Sequence, residues 1–97
     1  MKVVWTEPAR QDLRQIFEYI AEDSPKAASK LLSIIQERAV LLQDNPHMGR
    51  MGRVDGTREL VIAGTTYILP YRVKDNQIQI LAVFHEARQW PETFELN

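Results

Sequence analysis

The residues best suited to chemistry in this chain are cations, histidines and tyrosines, and they lie in its second half. Arginine's planar guanidinium binds carboxylates and phosphates at two points, and histidine and tyrosine can transfer protons. Such a set could bind an acidic segment or a nucleic acid, or act on an RNA phosphodiester, and it is equally typical of a solvated polar rim. The candidates are His47, Arg50, Arg53, Arg58, Arg72, His85 and Arg88, with Tyr67 and Tyr71 beside them.

Metal and nucleotide chemistry have little support in the sequence. His47 and His85 are far apart and lack nearby paired carboxylates, and the "GRMG" segment neither follows a strand nor opens a helix as a phosphate loop does. The 97 residues include no cysteine, which excludes disulfides, thiolate metal sites and cysteine nucleophiles. We therefore expect no metal and no cofactor.

The charge of the chain argues against a dedicated nucleic-acid binder. The formal net charge is −1 and the pI is about 6.1, whereas a protein whose affinity rests on phosphate neutralisation carries a clear positive excess. The distribution is uneven, because residues 46–74 contain five Lys/Arg and only two Asp/Glu. Positive charge therefore collects in the middle of the chain.

The first half of the sequence predicts one strand and two helices. The β-branched and aromatic run at 2–6 is typical of a strand. Apolar residues that recur every three or four positions predict a helix over 7–22, with Asp12 among the charged residues left to solvent. A second helix is predicted over about 25–43, and the short connection makes the two helices antiparallel.

The second half predicts a long loop and three strands. The loop at 44–56 is rich in glycine and polar residues, and the strands lie at about 57–62, 66–74 and 77–84. These elements predict an α+β domain in which a small, mainly antiparallel sheet, in the order β-α-α-β-β-β, carries a helical hairpin on one face. The whole chain, 1–97, is expected to form one domain.

Pro70 interrupts the strongest strand pattern, the one at 66–74. Proline has no backbone N–H to give to a ladder, so either the strand bulges there or the neighbouring strand has already ended. The second alternative leaves the sheet edge open next to Ile68 and Leu69. An apolar open edge invites a partner.

Length and hydropathy predict a cytosolic protein. No stretch approaches the roughly 18 apolar residues of a membrane span, and the start, "MKVVWTEPAR", has too short an apolar run for a signal peptide. We expect a cytoplasmic location and no association with a membrane.

Three segments of the chain carry a specific pattern: "TEPARQDLRQIFEYI", "NPHMGRMGRVDGTREL" and "TYILPYRVKDNQIQILAVFHEARQWP". Together they span most of the sequence and resemble the ParE/RelE superfamily of toxins from bacterial type II toxin–antitoxin (plasmid stabilisation) systems. The resemblance implies a compact fold of a sheet and a helical hairpin. It also implies a hetero-oligomer with a cognate ParD/RelB-like antitoxin, whose C-terminal segment wraps the toxin and neutralises it.

The resemblance implies one of two targets. RelE-like members cut messenger RNA on the ribosome with a basic surface of Lys, Arg and Tyr or His, whereas ParE-like members inhibit DNA gyrase and lack that set. Because the net charge is −1 and no tyrosine follows Arg88, we favour the ParE-like activity, a protein contact with gyrase and no catalysis. The alternative is a ribosome-dependent mRNA endonuclease in which Arg58, Arg72, His85 and Arg88 are the catalytic residues.

Under the ParE-like interpretation, cations and one tryptophan bind the antitoxin or the target. We expect an acidic stretch of the antitoxin to face Arg50, Arg53 and Arg58. The full predicted binding set is Arg50, Arg53, Arg58, Arg72, His85, Arg88 and Trp90.

Overall fold

The chain starts with a strand that passes directly into a helix, as the sequence predicts. Strand β1 (Lys2–Trp5) is followed by helix α1 (Glu7–Ala21) in a computed structural model that describes residues 1–94. The Thr6 hydroxyl caps this helix by accepting a 3.4 Å hydrogen bond from the backbone nitrogen of Ala9. The cap satisfies one of the first-turn N–H groups that a helix leaves unpaired.

A second helix packs against the first to form the predicted hairpin. Helix α2 (Pro25–Val40) is capped by Ser24, whose Oγ accepts a 3.1 Å hydrogen bond from Ala27 N. A 3-10 turn at Leu41–Gln43 continues the helix, so the predicted end near Gln43 is the end of this turn.

The remaining strands complete a six-stranded, mostly antiparallel sheet, which confirms the predicted α+β class. The strand order is β1-β5-β4-β3-β2, with β1 parallel to β5 and all other pairs antiparallel. Strand β6 pairs with β4 on the same side as β5, beyond the point where β5 ends. The strands are β2 (Arg50–Met51), β3 (Arg58–Val61), β4 (Tyr67–Lys74), β5 (Gln77–Ile80) and β6 (Phe84–His85).

Two predicted boundaries in the second half are wrong. The predicted loop at 44–56 contains β2, which pairs with β3 through Arg50 and Glu59. The predicted strand at 77–84 is two strands, because the chain leaves the ladder after β5 and returns as β6.

Pro70 lies where β4 changes partners. Its carbonyl oxygen accepts a 2.8 Å hydrogen bond from Leu81 N, just beyond β5, and its nitrogen faces the same side because the N and O of one strand residue point to one neighbour. The missing N–H therefore falls where β5 has ended, without a bulge. The expected open edge is wrong, however: Ile68, Leu69 and Pro70 are buried, because residues 81–83 and β6 close that side.

The hydrophobic core lies between the helical hairpin and one face of the sheet. Along β4, Leu69 and Tyr71 point into this core, whereas Ile68 and Pro70 point to the opposite face, which we call the outer face. The core residues with the least exposure are Ala9, Ile35, Ala39, Leu42, Leu60, Ile62, Leu69, Tyr71, Ile78, Ile80 and Val83.

Candidate functional site

A buried carboxylate on the outer face gathers two of the predicted cations. The Glu59 side chain is only 1% exposed, and its Oε1 accepts hydrogen bonds from Arg50 Nε at 3.0 Å and Nη2 at 2.9 Å. Its Oε2 accepts from the backbone nitrogen of Arg53 at 2.8 Å and from Arg53 Nε at 3.1 Å. Burial raises the pKa of Glu59, but these hydrogen bonds outweigh burial and lower the pKa below its ordinary value.

The segment after β6 covers the outer face with aromatic side chains. The Phe84 ring packs edge-to-face on Trp90, with 5.1 Å between ring centroids, and is stacked on Phe94 at 5.9 Å. Arg53 lies 3.8 Å above the Trp90 ring, and Arg88 lies 4.1 Å above the Phe84 ring. Trp90, predicted to bind a partner, therefore has its ring engaged within the chain, although its buried indole N–H has no acceptor among residues 1–94.

Arg58 does not join Arg50 and Arg53, because adjacent strand residues face opposite sides of the sheet. Its Nη1 donates a 2.8 Å hydrogen bond to Gly49 O and a longer one, 3.4 Å, to His47 O. The side chain thus holds the loop before β2 from the helix side. The expectation that one acidic stretch faces all three arginines at once is not met by this geometry.

Arg72 lies on the outer face, opposite in direction to Tyr71, as strand alternation predicts. Its Nε donates a 2.6 Å hydrogen bond to Gln79 Oε1 on β5. This arginine therefore links β4 to β5 and lies apart from the Glu59 cluster.

The loop before β2 is anchored from the helix side of the sheet by Tyr71, which is fully buried. Its hydroxyl donates a 2.8 Å hydrogen bond to Pro46 O and accepts a 3.0 Å hydrogen bond from Gly49 N. Burial raises the pKa of Tyr71, which keeps the hydroxyl protonated. A side chain at Gly49 would come within 2.6 Å of the tyrosine ring, so this close approach requires glycine.

An apolar groove with cationic flanks lies along the sheet edge beyond β2, and we call it the edge groove. Its floor is formed by Leu41, Met48 and Val61, each between 44% and 48% exposed, and Arg38 and Arg50 flank it. The groove encloses about 350 Å³. Contiguous exposed apolar side chains rimmed by charge are typical of a protein-binding surface.

The backbone at the edge groove faces outward without a strand partner. Ile62 N donates to Tyr67 O, so by alternation the N–H and C=O of Val61 point away from β4, toward the edge. Among the described strands, β2 is the one on that side, and its pairing stops before Val61. The pairing stops because the chain leaves the edge of β3 at Gly49, whose N–H donates a hydrogen bond to the Tyr71 hydroxyl on the helix side of the sheet.

A second cleft, the α1 cleft, lies between helix α1 and the strands β4 and β6. Six of its lining residues are polar or aromatic: Asp12, Gln15, Tyr19, Tyr67, His85 and Arg88. Asp12, predicted to be in solvent, is instead partly buried, and its Oδ2 accepts a 3.0 Å hydrogen bond from Val83 N. Burial raises the pKa of Asp12, against the lowering effects of that hydrogen bond and of Arg88. Burial likewise raises the pKa of Tyr67.

The geometry of His85 fixes the position of its proton. Its Nδ1 accepts a 3.1 Å hydrogen bond from the backbone nitrogen of Ala87, so the proton of the neutral ring is on Nε2. The ring also packs edge-to-face on Tyr67, with 5.7 Å between centroids. His85 therefore presents a donor to the α1 cleft.

The structure thus separates the predicted residues into groups. Arg50 and Arg53 come together on Glu59, His85 and Arg88 come together in the α1 cleft, and Arg58 is apart from both. Sequence reasoning named Tyr71 beside the candidates without its role as the anchor of the loop, and it missed Glu59, the buried position of Asp12 and the whole edge groove. Within residues 1–94, no three His, Asp or Glu side chains lie together as a metal site requires, and no helix is long and apolar enough to cross a membrane.

Comparison with known proteins agrees with this architecture. A profile described as "ParE toxin of type II toxin-antitoxin system, parDE" matches residues 3–90. The protein Y4kP of Sinorhizobium fredii is 40% identical over 91 residues, which is 94% of each chain. Toxin RelE2 of Caulobacter vibrioides is 36% identical over 87 residues, or 90% of this chain and 97% of that one.

Solved structures share the fold as well. The chromosomal ParDE system from P. aeruginosa contains a chain with a TM-score of 0.79 and 34% identity, over 88% of this chain and 95% of that one. A chain of the RelBE2 toxin–antitoxin complex from Mycobacterium tuberculosis has a TM-score of 0.62 and 29% identity. The match covers 87% of this chain and 95% of that one. The fold is therefore that of the ParE/RelE superfamily. The chain belongs to the ParE family of toxins of type II toxin–antitoxin systems.

Proposed function

We propose that this toxin acts through protein contacts alone: a cognate antitoxin neutralises it, and DNA gyrase is its target. Two of the structural relatives come from a ParDE system and a RelBE2 toxin–antitoxin complex, which supports an antitoxin partner. The contacts that the predicted cations make in the structure support a function without catalysis. Arg50 and Arg53 neutralise a carboxylate, Arg58 and Arg72 donate to carbonyl and amide oxygens, and His85 and Arg88 lie in the α1 cleft.

The edge groove is the surface that best fits the antitoxin. Its outward N–H and C=O groups at Val61 can accept an added strand, and its exposed apolar floor can bury the alternate side chains of that strand. Arg38 and Arg50 lie at the rim, where they favour an acidic segment. The antitoxin segment that fits is extended, apolar on one side and acidic on the other.

Phosphodiester cleavage requires cations that stabilise the transition-state phosphate together with an available base. Arg50 and Arg53 share the charge of Glu59, Arg58 donates to loop carbonyls, and Arg72 donates to Gln79. On the outer face these bonds leave a weakly cationic surface. It is partly covered by aromatic side chains.

His85 is poorly arranged to remove a proton from a ribose hydroxyl. A general base needs a free nitrogen lone pair within hydrogen-bonding reach, but Nδ1 of His85 already accepts from Ala87 N and Nε2 carries the proton. The alternative set of Arg58, Arg72, His85 and Arg88 also does not converge on one point, because Arg58 and Arg72 face opposite sides of the sheet.

The alternative function is a RelE-like, ribosome-dependent mRNA endonuclease, and it is favoured by the name of the Caulobacter relative. A translation extract programmed with a defined message distinguishes the two. With purified toxin we expect full-length message and continued translation on pre-synthesised mRNA. Cuts mapped to the ribosomal decoding site, which disappear when the antitoxin is added, would establish the alternative.

A further inference from the structure

The α1 cleft is separate from the edge groove and contains a cation, Arg88, that is open to a ligand. The cleft holds about 270 Å³, and among residues 1–94 it shares no lining residue with the edge groove. Among the groups that line it, Oδ2 of Asp12 accepts from Val83 N and Nδ1 of His85 accepts from Ala87 N, whereas Oδ1 of Asp12 and the side-chain amide of Gln15 remain available. The strongest donors left for a ligand are the guanidinium of Arg88 and His85 Nε2–H.

Arg88 is placed to serve such a ligand. Its guanidinium rests over the Phe84 ring at 4.1 Å, which fixes its position, and its side chain donates no hydrogen bond to any residue in the described part of the chain. A guanidinium held in place with free N–H groups binds carboxylates and phosphates at two points.

The surroundings favour a single carboxylate over a nucleic-acid backbone. Asp12 lies in the cleft, and the exposed Glu18 and Glu86 adjoin Tyr19 and His85 in sequence, so a chain of phosphates would meet more of this negative charge than a single carboxylate bound to Arg88 would. Tyr19 is 75% exposed at the rim of the cleft, and tyrosine beside arginine is the composition of protein-binding hot spots. A protein segment with one acidic side chain fits the cleft, with the rim tyrosine packing against its neighbours.

We propose that the α1 cleft binds an Asp or Glu side chain of the protein that the toxin inhibits, apart from the antitoxin strand in the edge groove. The inference rests on the proposed function in taking the target to be a protein. In this inference His85 and Arg88 contact the target protein, and the antitoxin binds the edge groove.

The first experiment compares toxicity and antitoxin binding for Tyr19→Ala and Arg88→Gln, with Arg14→Gln as the matched control on α1. Both cleft side chains are exposed, so the variants are expected to melt with the wild type. We expect the toxin dose that arrests growth to rise by about tenfold or more for each cleft variant, with antitoxin Kd changed by less than about threefold. Arg14→Gln should match the wild type in both measurements.

Two outcomes would overturn the inference: cleft variants as toxic as wild type, or variants whose antitoxin affinity falls as far as their toxicity. Growth arrest does not depend on which protein is the target. A toxin that leaves gyrase untouched therefore refutes the proposed target, while the comparison still tests the cleft.

A direct titration tests the ligand class. A tetraglutamate peptide added to the isotope-labelled protein should shift the side-chain resonances of His85 and Tyr19, and Arg88→Gln should abolish those shifts. The inference would be overturned by a peptide that leaves both residues unchanged. It would also be overturned by a short RNA that shifts the resonances of His85 and Tyr19 at lower concentration than the peptide does, since the cleft would then bind nucleic acid in preference.

Discussion

Arg58 and Glu59 are neighbours in sequence and lie on opposite faces of the sheet, each bound to a different part of the same loop. Arg58 donates to Gly49 O from the helix side, and Glu59 accepts from Arg50 and Arg53 on the outer face. Strand β3 thus fixes the cationic loop from both sides. The loop's arginines are therefore held within the fold, and in our proposal the antitoxin binds the sheet edge beside them.

Replacing Tyr71 with Phe should loosen the loop before β2. The substitution leaves Gly49 N–H and Pro46 O without their buried partner, which should lower the free energy of unfolding by about 1–3 kcal/mol. Urea denaturation measures this. Tyr19→Phe is the control, since that side chain is 75% exposed and the change should stay within about 0.5 kcal/mol. Equal effects at the two positions would contradict the anchoring role.

Glu59→Gln should destabilise the protein most at neutral pH. Because the folded state lowers the pKa of Glu59 below 4.5, its carboxylate contributes stability that is fully present above about pH 4.5 and is lost as the pH falls through the folded pKa. Since both arginines are about half exposed and can be resolvated, we expect a cost of about 1–3 kcal/mol at pH 7.

The pH profile is the readout for Glu59. Wild type and Glu59→Gln should approach each other in stability below pH 4.5, while the exposed control Glu37→Gln follows the wild type throughout. A difference that stays constant down to pH 3 would mean that the ion pairs are not its origin.

Asp12→Asn should leave the protein as stable at pH 7 or make it slightly more stable. Burial raises the folded pKa of Asp12 above its ordinary 3.8, so the charged form is a cost at neutral pH that diminishes as the pH falls through the folded pKa. The Asn side-chain oxygen can still accept from Val83 N. Asp12→Ala cannot, and should lose about 1 kcal/mol in thermal or urea unfolding. Equal losses for Asn and Ala would disprove this account.

Val61→Asn should weaken antitoxin binding through the edge groove. A polar side chain on the apolar floor should raise the Kd by about tenfold, or about 1.4 kcal/mol. Val40→Asn is the matched control: this valine is 53% exposed and lies outside the groove. Calorimetric titration of both variants decides the matter. Identical Kd values for the two variants would show that the antitoxin binds another surface.

Arg38→Glu should slow antitoxin association, because Arg38 flanks the edge groove. We expect an association rate about tenfold lower at low salt, with a weaker salt dependence. Arg14→Glu, on the other helix, makes the same charge change away from the groove. If both variants slow association equally, the effect arises from net charge and not from the groove.

The sequence predicted most of the fold because the patterns are local. The apolar period of 3.6 predicted both helices, which the structure caps with Thr6 and Ser24. Asp75 and Asn76 have the positive φ of a two-residue hairpin turn. Pro70 also marked the place where one neighbouring strand ends. Strand β6 could not be separated from β5, because one apolar run continues through Leu81–Val83 while the chain leaves the ladder.

The candidate surfaces were harder to predict because they depend on contacts between distant residues. Asp12 lies on the charged side of a helical pattern, and nothing local shows that Val83 N approaches it 71 positions later. The edge groove joins Leu41, Met48 and Val61 from three separate segments. Alternation did assign Arg72 and Tyr71 to opposite faces, because that inference needs only a strand.

The proposed activity is tested most directly by a supercoiling assay with purified gyrase, relaxed plasmid and increasing toxin. We predict loss of supercoiling or accumulation of cleaved DNA as the toxin approaches the concentration of gyrase, with full rescue by one equivalent of antitoxin. Undisturbed supercoiling at a large excess of a toxin preparation that arrests growth would contradict the proposed target.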